Sequence, residues 1–188
     1  MSIPVKNQTE FDMSTASFRA IELDDIQLIR YWRNLDHVRR RMVMTNYIER
    51  DGQRKWFDSL NNDLVRYFIF SLDSKDIGCV NLTKINVIEK TFEGGVFCGD
   101  ASYFNHWVNT WACVKLYNFA FFDLNLEKSF ATILKDNKPA LSLNKSLGYK
   151  FIEDIEQNIG RFILTRAEYV LASEKIQRYL RDFAKQSI

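Results

Sequence analysis

The chain predicts a mixed α/β fold, a mostly antiparallel sheet of about seven strands with helices on both faces. Three observations carry that expectation. Between Val65 and Cys98, runs rich in β-branched and aromatic residues follow one another like the strands of a meander. From Glu93 to Tyr149 the pattern is that of a βαβα unit, strand, helix, strand, helix. The end of the chain offers two more strands, then a helix with apolar residues three and four positions apart.

In order, residues 1–17 read as an N-terminal tail, polar and without the apolar core of a signal peptide, and 18–188 as a single domain. Phe18 to Leu23 alternates apolar and polar positions like a strand, and Asp24-Asp25 opens a helix carrying Ile26, Leu28, Ile29 and Trp32. A second helix, Arg50 to Leu60, has Trp56, Phe57 and Leu60 as its buried side. Val65–Leu72 and Ile77–Leu82 are strands joined by a hairpin turn at Ser74-Lys75-Asp76, and Phe92–Cys98 is the next strand. A polar loop, Tyr103 to Asn109, leads to an aromatic-rich helix from Thr110 to Asp123 and a strand from Lys128 to Leu134. The next helix starts at Asn137-Lys138-Pro139-Ala140 and closes at Leu147-Gly148-Tyr149. Lys150–Ile155 and Arg161–Leu164 are the last strands. Thr165 and Glu168 form a capping box for a C-terminal helix from about 166, with Tyr169, Ala172, Ile176, Leu180 and Phe183 on its apolar face.

With 188 residues, 46% hydrophobic and 14% aromatic, the chain is able to bury a core and is not disordered. A net charge of +2 gives no bulk attraction to nucleic acid; Arg39-Arg40-Arg41, with Arg33 nearby, is a solvated helix end or a local anion site. Cys79, Cys98 and Cys113 lie in apolar runs without metal spacing and read as reduced thiols of a cytoplasmic protein. No apolar run reaches the roughly 18 residues of a membrane span. Neither a nucleophile triad nor a glycine-rich nucleotide fingerprint is present. The loop before Thr110 suits a phosphate, since a helix start presents free N–H groups and the positive end of a dipole.

Four places in this order resemble the GNAT superfamily of acyl-CoA-dependent N-acetyltransferases: Ile77-Gly78-Cys79-Val80, Glu93-Gly94-Gly95-Val96-Phe97, Thr110-Trp111-Ala112, and Asn137-Lys138-Pro139-Ala140-Leu141 through Leu147-Gly148-Tyr149. Trp32-Arg33-Asn34, Tyr47-Ile48, Gln53 and Trp56-Phe57 are similar to the bacterial nucleotide-aminosugar N-acetyltransferases, including those of the pseudaminic acid pathway. Ribosomal-protein alanine acetyltransferases share much of that layout. The resemblance implies a sheet splayed between its fourth and fifth strands, with acetyl-CoA as acyl donor lying in the gap. Val96, Phe97 and Cys98 then face the pantetheine, Phe104, Asn105, His106, Trp107, Val108, Asn109 and Thr110 face the pyrophosphate, and Asn137 lies along the other side.

Two departures bear on this. The family's pyrophosphate loop carries glycines, and here there are none; Asn105 and Asn109 are expected to take the left-handed turn, with Asn109 also a helix N-cap. Trp107 is expected to fill phosphate space, or the loop to pack on its own domain. Asn144 stands where many relatives carry a Tyr acid, and offers only an amide hydrogen bond. Glu93 is the candidate general base or a solvated strand end, and an N–H near Phe97 or Cys98 the oxyanion donor. For the acceptor, Arg33 and Arg40 suit a diphosphate. Asn34 belongs to the same motif, while Trp32, Tyr47 and Trp56 stack on base or sugar or form core. His37 has no functional argument. The readings are an amino-sugar N-acetyltransferase, an N-terminal protein or peptide acetyltransferase, and a GNAT-like module that no longer binds CoA; a homo-oligomer is compatible with each.

Overall fold

The computed structural model describes residues 15–186 apart from Asn62, and side-chain surroundings through Asp182. The expected tail thus lies outside the described residues except for its last positions, as does the Phe183 side chain. Seven strands form one sheet in the order β1-β2-β3-β4-β5-β7-β6. They are β1 (Ala16–Ala20), β2 (Arg66–Leu72), β3 (Lys75–Asn86), β4 (Thr91–Cys98), β5 (Lys128–Leu134), β6 (Lys150–Glu156) and β7 (Ile159–Thr165). Every neighbouring pair is antiparallel except β4 and β5. The helices are α1 (Ile26–Asn34), α2 (Asp36–Arg39), α3 (Arg50–Asp58), α4 (Trp107–Asn118), α5 (Lys138–Leu147) and α6 (Arg166–Gln186).

Side chains that alternate along the strands build two cores, one on each face. Phe70, Val80, Leu82 and Phe92 point to one side and pack with Val108, Ala112 and Leu116 of α4 and Tyr169 and Ile176 of α6. Ile69, Cys79 and Phe97 point to the other and meet Ile29 and Trp32 of α1 and Val38 of α2.

Several boundaries move from their sequence positions for local reasons. β1 starts and stops earlier than Phe18–Leu23, because Asp25 turns back to accept from the Glu22 N–H and pairs with Arg19 at 2.7 Å. The β2–β3 turn is at Asp73-Ser74, whose φ values of 50° and 64° suit a two-residue hairpin. In α3 the buried residue is Gln53, while Trp56, Phe57 and Leu60 are half-buried, Trp56 edge-on to Tyr67. α4 begins at Trp107 rather than Thr110, with His106 as its N-cap, and gives way to a π-helical turn at Phe119–Asp123. The expected ends of α5 hold: the Asn137 side chain accepts from the Ala140 N–H and Gly148 takes φ 100°. So does the capping box, with Glu168 accepting from the Thr165 N–H at 3.0 Å.

Candidate functional site

β4 and β5 pair only from Thr91 and Lys128 to Glu93 and Phe130. Beyond that point they diverge, as the splay between the fourth and fifth strands requires. Among the described residues, the gap leaves one edge of β4 without a strand partner beyond Glu93. A Cβ built on Gly78 would stand 2.4 Å from the Phe97 carbonyl oxygen, and the Gly99 N–H donates to Ile77. The peptide groups of Phe97 and Gly99 therefore face β3. Because backbone groups alternate along an antiparallel strand, those of Gly94, Val96 and Cys98 face the gap. Of the expected oxyanion donors near Phe97 or Cys98, the Phe97 N–H is committed to the sheet, whereas Cys98 and its neighbour Val96 present theirs to the gap.

Two cavities, of about 370 and 470 Å³, open along the gap and share Arg41, Met42, Val96, Phe97, Asn137, Ala140 and Leu143 as walls. The smaller is bounded by Cys98, by Phe104, Asn105, His106, Asn109 and Thr110, and by Asn137. Of the residues expected at the donor, only Trp107 and Val108 line neither cavity. Val108 is fully buried, and Trp107 is half-buried against the main core and the His106 ring, so it does not fill the gap. Asn105 and Asn109 do not take left-handed φ. A 3₁₀ turn at Ala101–Tyr103 carries the chain into α4 instead, and Asn109, in the first turn of α4, donates to the carbonyls of Tyr103, Phe104 and His106. Glycines are not needed where no positive φ is used. The cap falls to His106, whose Nδ1 accepts from the Val108 N–H at 3.4 Å; burial lowers the imidazole pKa, which keeps that nitrogen free to accept.

Opposite α4 stand His37, for which sequence reasoning found no functional argument, and Arg41, which it offered only as part of the basic cluster. The edge of the His37 ring meets Phe104 at 4.9 Å, and the Arg41 guanidinium lies over the same ring at 4.6 Å. Their four-residue spacing was the available signal. Three buried polar atoms have no hydrogen-bond partner among the described residues, and each belongs to a side chain that lines the gap: His37 Nε2, Asn109 Oδ1 and Arg33 Nε. Asn137 joins the two sides, its Nδ2 donating to the Arg41 carbonyl at 3.1 Å.

Around the larger cavity stand Arg33, Asn81, Thr83, Lys84, Glu93, Cys113, Tyr117 and Asn144. Lys84 Nζ is 2.8 Å from Glu93 Oε1. Burial lowers the Arg33 pKa and raises the Cys113 thiol to about 12. Asn144 donates to the Ala140 carbonyl at 2.8 Å, which ties it to its own helix. The other residues expected at the acceptor lie elsewhere. Trp32 is buried in the second core, edge-on to Phe97. Asn34 exchanges hydrogen bonds with the Ile48 N–H and C=O and so fixes the segment after α2. Arg40 follows the last turn of α2 and is exposed, as is Tyr47; neither these nor Trp56 line either of the two cavities.

The acetyltransferase (GNAT) domain family matches residues 17–150. No curated protein matches the chain. Among solved structures, the spermidine N-acetyltransferase of Vibrio cholerae in complex with CoA and spermine superposes with a TM-score of 0.76 at 18% identity, covering 84% of this chain and 99% of that one. A domain from Methanocaldococcus jannaschii gives 0.71 at 19% identity, covering 80% and 97%. The N-acetyltransferase PseH of Campylobacter jejuni gives 0.61 at 17% identity, covering 81% and 99%.

Proposed function

The chain belongs to the acetyltransferase (GNAT) domain family, and from that premise we propose that it acetylates the amine of a nucleotide-linked amino-sugar. The family's acyl donor is acetyl-CoA, and the residues of the gap fit it. Val96 and Cys98 offer peptide groups to the amides of pantetheine. The N-terminus of α4, with His106 and Arg41, suits phosphate oxygens; the unpartnered Asn109 Oδ1 can accept from an N–H or O–H of the donor, and the unpartnered His37 Nε2 offers it a further polar contact.

One observation carries the acceptor class. Among the described residues, the larger cavity is lined by three cations, Arg33, Arg41 and Lys84, and by a single carboxylate, Glu93, which Lys84 already pairs. A polyamine would bring further positive charge to that wall. An acceptor with a diphosphate would meet complementary charge, and Arg33 brings the planar donor set that phosphate oxygens fit. In this assignment Arg33 holds the anionic group, Glu93 takes the amine proton and the Cys98 or Val96 N–H stabilises the oxyanion. Trp32, Arg40, Tyr47 and Trp56, which line neither of the two cavities, have no part in this assignment.

The test is acetyl transfer from acetyl-CoA to UDP-, dTDP- and GDP-linked amino-sugars, against spermidine and peptides with free N-termini. Turnover with a nucleotide-linked sugar, with KM raised tenfold or more by Arg33→Ala, is the expected result. Turnover with spermidine or peptide alone would replace this reading.

A further inference from the structure

We infer that Tyr117 is the acid of this enzyme: its phenol, at the open end of a chain of three hydroxyls, donates its proton to the sulfur that leaves the acyl carbon. The inference rests on acetyl-CoA as donor, and not on the identity of the acceptor.

Position is the first argument. Four residues of one face of the α4 segment, His106, Asn109 or Thr110, Cys113 and Tyr117, follow at steps of three and four, and all line the gap. At the helical rise they span about 16 Å. Tyr117 is at the inner end. A Cβ on Gly94 would stand 2.4 Å from its hydroxyl oxygen, so the phenol lies against β4 at the first residue that β5 no longer pairs. This is the apex of the splay.

Connection is the second. Tyr117 Oη is 2.7 Å from Tyr149 Oη, which is 2.5 Å from Ser129 Oγ. All three residues are buried, yet among them Tyr117 alone lines either of the two cavities of the gap. Either hydroxyl can donate in each pair; in the arrangement where Ser129 donates to Tyr149 and Tyr149 to Tyr117, the Tyr117 proton is left for an acceptor in the cavity. Buried hydroxyls that only needed each other would not have to end at an opening.

Chemistry is the third. As the new carbon–nitrogen bond forms and the carbon–sulfur bond breaks, the amine loses a proton to Glu93 or water and the sulfur gains one. Tyr117 Oη–H supplies it, Tyr149 donates to the resulting phenolate, and solvent in the cavity returns the proton. Burial raises the Tyr117 phenol well above its ordinary value, so it is protonated at neutral pH when each turnover begins. Asn144 has no acidic proton to give.

Tyr117→Phe keeps the ring that stacks on Tyr169 and removes only the hydroxyl. The expected result is a kcat lower by about tenfold to a hundredfold with the KM for acetyl-CoA within twofold. By calorimetry the variant should bind CoA about fivefold or more weakly, while desulfo-CoA, which lacks the sulfur, binds as it does to the unaltered protein. A kcat within twofold, or equal weakening of both ligands, overturns the role. Should Tyr117→Phe not fold, Tyr149→Phe removes the donor behind Tyr117; unchanged kcat and CoA affinity there overturn it equally. Unaltered protein that binds neither ligand would overturn the donor on which the inference stands.

Discussion

Gly94 and Glu93 are adjacent on β4, and their side-chain positions meet opposite faces of the sheet. At Gly94 the missing Cβ leaves room for the Tyr117 hydroxyl. At Glu93 the carboxylate enters the larger cavity with one oxygen on Lys84. If the second oxygen takes the amine proton, Glu93→Gln removes the base while keeping the shape and a hydrogen-bonding oxygen for Lys84. The expected outcome is a kcat at least about tenfold lower, with an unchanged calorimetric affinity for acetyl-CoA. A rate equal to that of the unaltered protein would leave Lys84–Glu93 as a surface ion pair, worth about 0–1 kcal/mol.

Among the elements, α5 does two tasks through one side chain. Asn137 Oδ1 caps the helix at Ala140, and Asn137 Nδ2 reaches the Arg41 carbonyl across the gap. Two substitutions separate these tasks. Asn137→Ala loses both and should cost about 1–2 kcal/mol of stability and weaken acetyl-CoA binding. Asn137→Ser keeps a capping oxygen but is too short to reach Arg41. Its melting temperature should recover most of the loss while its affinity does not. Recovery of both would show that the link to Arg41 has no part in holding the donor.

On the scale of the whole molecule, acid sensitivity should follow from carboxylates that ion pairs and hydrogen bonds hold in the charged form. Asp25 is depressed chiefly by Arg19, Glu168 by Lys150, and Asp100 to about 2 by Lys75 and Ser102. The unfolded chain takes up protons first, near the ordinary carboxylate values of about 4. Stability from these groups is complete above that range and is lost as pH falls through the lower folded values. Thermal melts should thus be flat from neutrality to about pH 5 and fall steadily below it, less steeply in high salt because Lys75 and Lys150 are exposed. A melting temperature that rose on acidification would contradict the assignment.

Strand and helix order, the βαβα unit, the caps at Asn137, Gly148 and Thr165, and the grouping of residues that line the smaller cavity were legible in the sequence. Each depends on neighbours a few residues apart, where periodicity and backbone preference act directly. The loop before α4 was misread for the same reason: without glycines it was assigned left-handed asparagines, whereas a 3₁₀ turn and a His106 cap solve the problem with ordinary φ values. The larger cavity was the least legible. Trp32 and Tyr117 are both aromatic residues on helices, yet one fills a core and the other ends a hydroxyl chain at the gap. Arg40 and Arg41 are adjacent, yet one faces solvent and the other covers Phe104. What the sequence determined by itself was local, the elements and their ends. The tertiary structure alone decided which side chains meet across the splay, because it depends on where β4 and β5 part and on which face each helix turns towards them.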